Sequence, residues 1–203
     1  MGKNICIFGD SIAWGAFDTE KGGWAERLKM FFETEFEDAE VCNLSISGNI
    51  TEDVLKRFEP ESKVREANVL IFAIGINDSQ YINSKDNPRT PLEKFKNNLR
   101  ELIAKSRKFT DEIIFVGFTD IDESKTMPIP WEADVYYDKE NVFLYNQVLK
   151  SVCEEEKVFY VSMEGVLNLD DLKDGVHPNS KGHEKMYQHI KNFLINNWKS
   201  ARR

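Results

Sequence analysis

The stretch Asn4-Ile5-Cys6-Ile7-Phe8-Gly9-Asp10-Ser11 decides how this chain folds. A continuous apolar run, in place of alternation, marks a strand buried on both faces, as in a parallel sheet covered by helices. The run stops at Gly9 and gives way to Asp10 and Ser11, so the strand ends in a serine. In open α/β sheets ligands bind outside the carboxyl ends of the strands, which puts Ser11 at a crevice mouth. Glycine allows the sharp turn needed there, because it lacks the Cβ that forbids positive φ and close backbone approach. Alone, Gly-Asp-Ser is more often an ordinary turn than a reactive site. The rest of the chain decides between the two.

Outward from this strand, a polar loop with Gly22 and Gly23 leads into residues 24–32, whose apolar positions recur at helical spacing. A short second strand over 41–44 is followed by a Ser45-Ile46-Ser47-Gly48-Asn49 turn and a helix through Val54 and Leu55, with Thr51 as its expected N-cap. The third strand, residues 69–74, ends in Gly75-Ile76-Asn77-Asp78, much as the first ends in Gly9-Asp10-Ser11. Helical periodicity then predicts a helix over 92–107, a fourth strand over 113–118, a helix over 139–156, a fifth strand over 158–161 and a last helix from Ser180 to Trp198. The terminal Arg202 and Arg203 are expected to fray. Five strands alternating with helices predict a single α/β domain over residues 1–203. Its three layers (α/β/α) enclose a five-stranded parallel sheet in the flavodoxin-like order 2-1-3-4-5. That order reverses chain direction between strands one and three, so the loops holding Ser11 and Asn77 flank the switch-point crevice.

Residues 119–137 show no clean period but contain Pro128, Pro130, Trp131, Tyr136 and Tyr137. A loop of that length in a compact domain is usually functional or mobile. Trp131 is expected to wall a substrate pocket, the alternative being that it packs on the sheet edge.

Composition narrows the partners. A net charge of -8 opposes binding to nucleic acid or to an anionic membrane, which need concentrated Lys and Arg. A small-molecule substrate is expected instead. Three cysteines, Cys6, Cys42 and Cys153, lie in apolar stretches and are odd in number, which favours free thiols over a disulfide framework. The first strand begins so near Met1 that no secretory signal fits before it, giving a cytoplasmic expectation. No apolar stretch approaches the ~18 residues of a membrane span.

A serine hydroxyl becomes a useful nucleophile only when a base takes its proton and a third group orients that base. The chain has three histidines. His183 and His189 fall on the last helix, where a packed or solvated role is expected. His177 lies in the loop Asp174-Gly175-Val176-His177-Pro178, where an acid three residues earlier can fold back onto Nδ1 and leave Nε2 facing Ser11. The alternative is a helix-capping turn with an incidental histidine. Acyl transfer also needs donors for an oxyanion, and the candidates are the N–H of Ser11, the N–H of Gly48 and the side-chain amide of Asn77. Each also has a turn-forming explanation. Their joint placement at the ends of strands one, two, three and five favours chemistry. A flavin- or nucleotide-binding module on the same fold fits less well, because Gly9 and Gly15 match neither nucleotide fingerprint. Metal-dependent hydrolysis is disfavoured by the scarcity and spacing of histidines.

These blocks resemble those of the SGNH, or GDSL-type, hydrolases. Gly9-Asp10-Ser11-Ile12 is similar to the first block, with Ile for the usual Leu. Gly48 in Ser47-Gly48-Asn49 is similar to the second, with Arg57 fitting the arginine often found just after it. Gly75-Ile76-Asn77-Asp78 resembles the third block and Asp174-Gly175-Val176-His177-Pro178 the last. The resemblance implies a flavodoxin-like esterase with no metal and no cofactor, a Ser11, His177 and Asp174 triad, and an oxyanion hole from Ser11, Gly48 and Asn77. Asp10 and Trp131 are candidate substrate contacts. A noncatalytic acyl- or carbohydrate-binding relative is the alternative within the family. The family's substrates range over acetylated sugars, lysophospholipids, aryl esters and thioesters, and neither the sequence nor the resemblance selects one. The oligomeric state stays equally open.

Overall fold

A computed structural model of the chain describes residues 3–85 and 87–197. In chain order, the first half holds β1 (Lys3–Gly9), α1 (Ser11–Trp14), α2 (Trp24–Glu35), β2 (Ala39–Asn43), α3 (Thr51–Val64), β3 (Val69–Ala73) and β4 (Tyr81–Ile82). The second half adds α4 (Leu92–Ser106), β5 (Ile113–Val116), α5 (Glu123–Thr126), β6 (Val135–Tyr136), α6 (Lys139–Glu156), β7 (Phe159–Val161) and α7 (Ser180–Asn197). Trp198, Arg202 and Arg203 lie outside the described residues.

Five of these strands form one sheet in the order β2-β1-β3-β5-β7, every pair parallel. Counted within the sheet this is 2-1-3-4-5, with helices on both faces. On one face α2 packs on β2 and α7; on the other α3, α4 and α6 pack in sequence. The continuous apolar runs have the expected cause, since Ile5 to Phe8, Val69 to Phe72 and Ile113 to Val116 are all buried.

Aromatic side chains lock the register. Phe8, Phe72 and Phe115 are direct cross-strand partners, with rings stacked at 5.8 and 5.0 Å between centroids. Phe58 of α3 closes this ladder edge-on, at 6.0 Å from Phe8 and 5.8 Å from Phe72. Slipping β3 by one residue would turn the whole ladder to the opposite face, so the pairing is strongly specified. In this register Gly9 is level with Ala73, and the turns after β1 and β3 emerge side by side.

Residues 119–137 are more ordered than their lack of periodicity implies. They contain α5 and β6, and β6 pairs antiparallel with β4 as a separate two-stranded ribbon, Ile82 opposite Val135. Two-residue strands are too short to show alternation, and this pairing joins segments more than fifty positions apart. Thr51 also differs from expectation. Ile50 takes the N-cap position, and Thr51, the first residue of α3, donates its N–H and hydroxyl to Asp78 at 2.9 and 2.6 Å. The three cysteines are free, with Cys6 and Cys153 buried and Cys42 partly so. Among the described residues no helix is long and apolar enough to cross a membrane.

Candidate active site

Ser11 opens α1, directly beyond β1, and α1 is fixed by Asp10, whose carboxylate accepts the Ile12 N–H at 3.0 Å. At the far end of the sheet, the loop after β7 returns His177 to the same place. Ser11 Oγ lies 2.8 Å from His177 Nε2, and His177 Nδ1 lies 2.7 Å from Asp174 Oδ2. The other Asp174 oxygen accepts the N–H groups of His177 and Val176 at 2.9 and 3.1 Å. Burial pushes the Asp174 pKa up, but these hydrogen bonds outweigh it and hold the carboxyl below the usual carboxylate range. A charged Asp174 keeps the proton of neutral His177 on Nδ1, so Nε2 is free to accept from the Ser11 hydroxyl. Gly175 makes the fold-back possible: its φ is +101°, and a Cβ there would come within 2.9 Å of both Lys125 Cβ and Thr126 Cγ2.

Donors converge on the same cleft. Gly48, at φ +79° with open space where a Cβ would stand, presents bare backbone. Among the described residues neither the Ser11 nor the Gly48 N–H has a protein acceptor. Asn77 gives one amide hydrogen to the Asn49 carbonyl at 2.9 Å, and its other amide hydrogen has no acceptor among the described residues. Arginines hold the turn carrying Gly48. Arg57 donates from Nε and Nη2 to Asn49 Oδ1 at 3.2 and 3.0 Å, and Arg89 donates to the Gly48 carbonyl at 3.0 Å. Such an array can stabilise a developing oxyanion beside an activated hydroxyl.

Ser11, Gly48, Asn77, Asp174, His177 and Trp131 all line one cleft of about 530 Å³. Asp10 does not. It is only 2% exposed, and burial pushes its carboxyl up to about 7 against the lowering effect of the Ile12 N–H. Its place beneath α1, with Oδ1 on the Ile12 N–H, makes it a helix cap. Among the described residues no group of three or more His, Cys, Asp or Glu side chains is disposed to hold a metal ion.

Apart from Trp131, the aromatic and apolar residues of the cleft carried no sequence signal. Phe17 stands 5.5 Å from the His177 ring and Trp131 stands 5.4 Å from it, both about half exposed. Phe17 holds φ +62°, a left-handed conformation costing an L-residue about 1–2 kcal/mol. The buried ion pair of Asp18 with Arg27 anchors that loop, and Asp18 also accepts the Gly23 N–H at 2.8 Å. Ile82, Ile129 and Val135 supply an apolar wall, two of them from the ribbon. Tyr137, next in the chain, donates its hydroxyl to Asn77 Oδ1. The other histidines stand apart: His183 is buried between the Trp24 N–H and the Ala16 carbonyl, at 3.3 and 2.9 Å, and exposed His189 meets the Ser162 carbonyl at 2.8 Å.

Comparison with known proteins identifies the family. The model of the GDSL-like Lipase/Acylhydrolase family matches residues 7–185. The chain belongs to that family. This GDSL-like protein is accordingly a carboxylic ester hydrolase. Among solved structures it is similar to the acetylxylan esterase Axe2 from Geobacillus stearothermophilus, at 20% identity over 99% of this chain and 98% of that one, with a TM-score of 0.74. It is also similar to the lipase/acylhydrolase from Enterococcus faecalis, at 21% identity over 97% and 96% of the two chains, TM-score 0.75. The α/β hydrolase LAE5 from the metagenome of Lake Arreo, Spain, matches at 19% identity over 95% of both chains, TM-score 0.73. At these identities the likeness establishes the fold. No curated protein sequence matches significantly.

Proposed function

We propose that this GDSL-like hydrolase cleaves short acyl or acetyl esters of small molecules, sugars or lysolipids through a Ser11, His177 and Asp174 triad and an acyl-enzyme. The observation that carries the reading is the unbroken relay from Ser11 Oγ through His177 to Asp174, beside donors that lack acceptors. Ser11 Oγ attacks the acyl carbon as its proton passes to His177 Nε2. The carbonyl oxygen becomes an oxyanion held by the Ser11 and Gly48 N–H groups and the free Asn77 amide hydrogen. When the carbon–oxygen bond to the leaving alcohol breaks, His177 returns the proton to that alcohol. Water, deprotonated by the same Nε2, then attacks the acyl-enzyme; the acid leaves and Ser11 recovers its proton.

The apolar wall of Ile82, Ile129 and Val135 suits a small acyl group, and the exposed rings of Phe17 and Trp131 suit a leaving group with an apolar face, such as a sugar ring. One relative lends support: solved catalytic mutants of the Axe2 acetylxylan esterase replace a serine and a histidine by alanine. The test pairs a p-nitrophenyl ester series of rising chain length with an acetylated-sugar panel, alongside fluorophosphonate labelling. The expected result is greatest kcat/KM at short chains, with label on Ser11. Label on another serine, or none in active enzyme, overturns the triad, and a rate that rises through long chains overturns the short-acyl preference.

A further inference from the structure

We infer that Tyr137 is a positioning residue that orients and polarises the Asn77 amide for the oxyanion. This rests on the reading of Asn77 as an oxyanion donor. An amide side chain can sit either way round, and only one orientation directs Nδ2 at the cleft. The Tyr137 hydroxyl donates to Asn77 Oδ1 at 2.5 Å, while Asn77 Nδ2 donates to the Asn49 carbonyl at 2.9 Å. Flipping the amide would set Oδ1 against the Asn49 carbonyl oxygen and lose that hydrogen bond inside a buried site, where an unmade bond carries the full desolvation penalty. A donor on Oδ1 also draws electron density from the amide nitrogen, strengthening its remaining N–H toward an anion.

Three features make Tyr137 suited to this. It is 2% exposed, and burial holds its phenol far above its ordinary range, so it stays a donor. Its backbone is clamped by one residue on both sides: the Tyr137 N–H donates to the Thr126 carbonyl at 3.0 Å, and the Thr126 hydroxyl donates to the Tyr137 carbonyl at 2.9 Å. The Gln80 side chain lies near enough to the Tyr137 phenol to lower its pKa against the effect of burial, and it accepts from Arg89 Nη1 at 2.7 Å, while Arg89 Nη2 reaches the Gly48 carbonyl. Arg89, Gln80, Tyr137, Asn77 and the Gly48–Asn49 turn therefore form one polar cluster beside the Gly48 and Asn77 donors. The β4–β6 ribbon sets its reach, since Tyr137 directly follows the residues paired with β4.

The test is Tyr137→Phe, which removes one oxygen and keeps the ring, read beside Asn77→Ala and the double variant. Rates are taken per Ser11 labelled to completion by fluorophosphonate, so any unfolded fraction drops out. Loss of a bond worth about 1–1.5 kcal/mol predicts kcat lowered on the order of tenfold with KM within about twofold. The double variant should be no slower than Asn77→Ala alone, because Tyr137 acts through Asn77. Full kcat in Tyr137→Phe, with or without a lowered Tm, overturns the inference. So does a double variant in which the two losses multiply. Both outcomes leave Ser11 labelled and wild-type activity intact. Failure of the triad reading appears differently, as wild-type enzyme that is active without label on Ser11.

Discussion

Ser11 and His177 stand 166 positions apart in sequence, yet Ser11 Oγ and His177 Nε2 are within 2.8 Å. Under the proposed triad the Ser11 hydroxyl loses its proton to the ring as it attacks, which makes each residue depend on the other. Ser11→Ala should fold normally and lose about 10⁴ to 10⁶-fold in ester hydrolysis, by analogy with other triads. His177→Ala should fall comparably, and the double variant little further. His183→Ala should behave differently, lowering Tm by removing the buried bridge to Trp24 and Ala16 while leaving kcat per folded molecule nearly unchanged. Thermal melts and single-turnover rates on the same preparations separate the two.

Asn77 is expected to act only as charge develops. If its free amide hydrogen meets the oxyanion, Asn77→Ala should lower kcat by about 10² to 10³ with KM little changed. A residue that merely shaped the turn after β3 would instead lower stability and keep kcat within a few-fold. Steady-state kinetics and a melt on one preparation decide the matter, and an unchanged kcat removes Asn77 from the oxyanion hole.

Trp131 is half exposed and its ring lies 5.4 Å from that of His177, which sets it at the mouth of the cleft. Removing it should broaden the leaving groups accepted and shift the chain-length profile, with little effect on Tm because an exposed ring contributes little burial. An unchanged profile with a lowered Tm would assign Trp131 to packing.

Asp10 predicts a pH dependence of stability. Its folded pKa, pushed up by burial to about 7, lies above the ordinary value of 3.8, so the folded state binds the proton more tightly than the unfolded chain. Its contribution is therefore fully present below pH about 4 and is lost as pH rises toward 7. Asp10→Asn keeps an oxygen for the Ile12 N–H and has no charge to bury. The Tm of this variant relative to wild type should accordingly rise between pH 4 and pH 8. A difference that stays flat across that range would show that Asp10 is not titrating within it.

The sequence alone determined the architecture and pointed to the candidate reacting groups, for a local reason. Double-sided burial of the parallel strands forces continuous apolar runs, and the polar residues that end those runs fall at the carboxyl edge where β1, β3 and β7 present their loops. Hence Ser11, Asn77 and the Asp174 to His177 loop were legible in the sequence, as were the limits of α6. What only the tertiary structure decided depends on contacts between distant segments. The ribbon of Tyr81–Ile82 with Val135–Tyr136 is two residues deep and leaves no periodic trace, so residues 119–137 read as a bare loop. Asp10 gave the same local signal as a substrate contact, and its bond to the Ile12 N–H made it a cap. Phe17 beside His177, Arg89 on the Gly48 carbonyl and Tyr137 on Asn77 have no motif at all. Each is placed by how the loops fold over one another, and side-chain chemistry becomes specific only once that packing brings the partners within hydrogen-bonding or van der Waals distance.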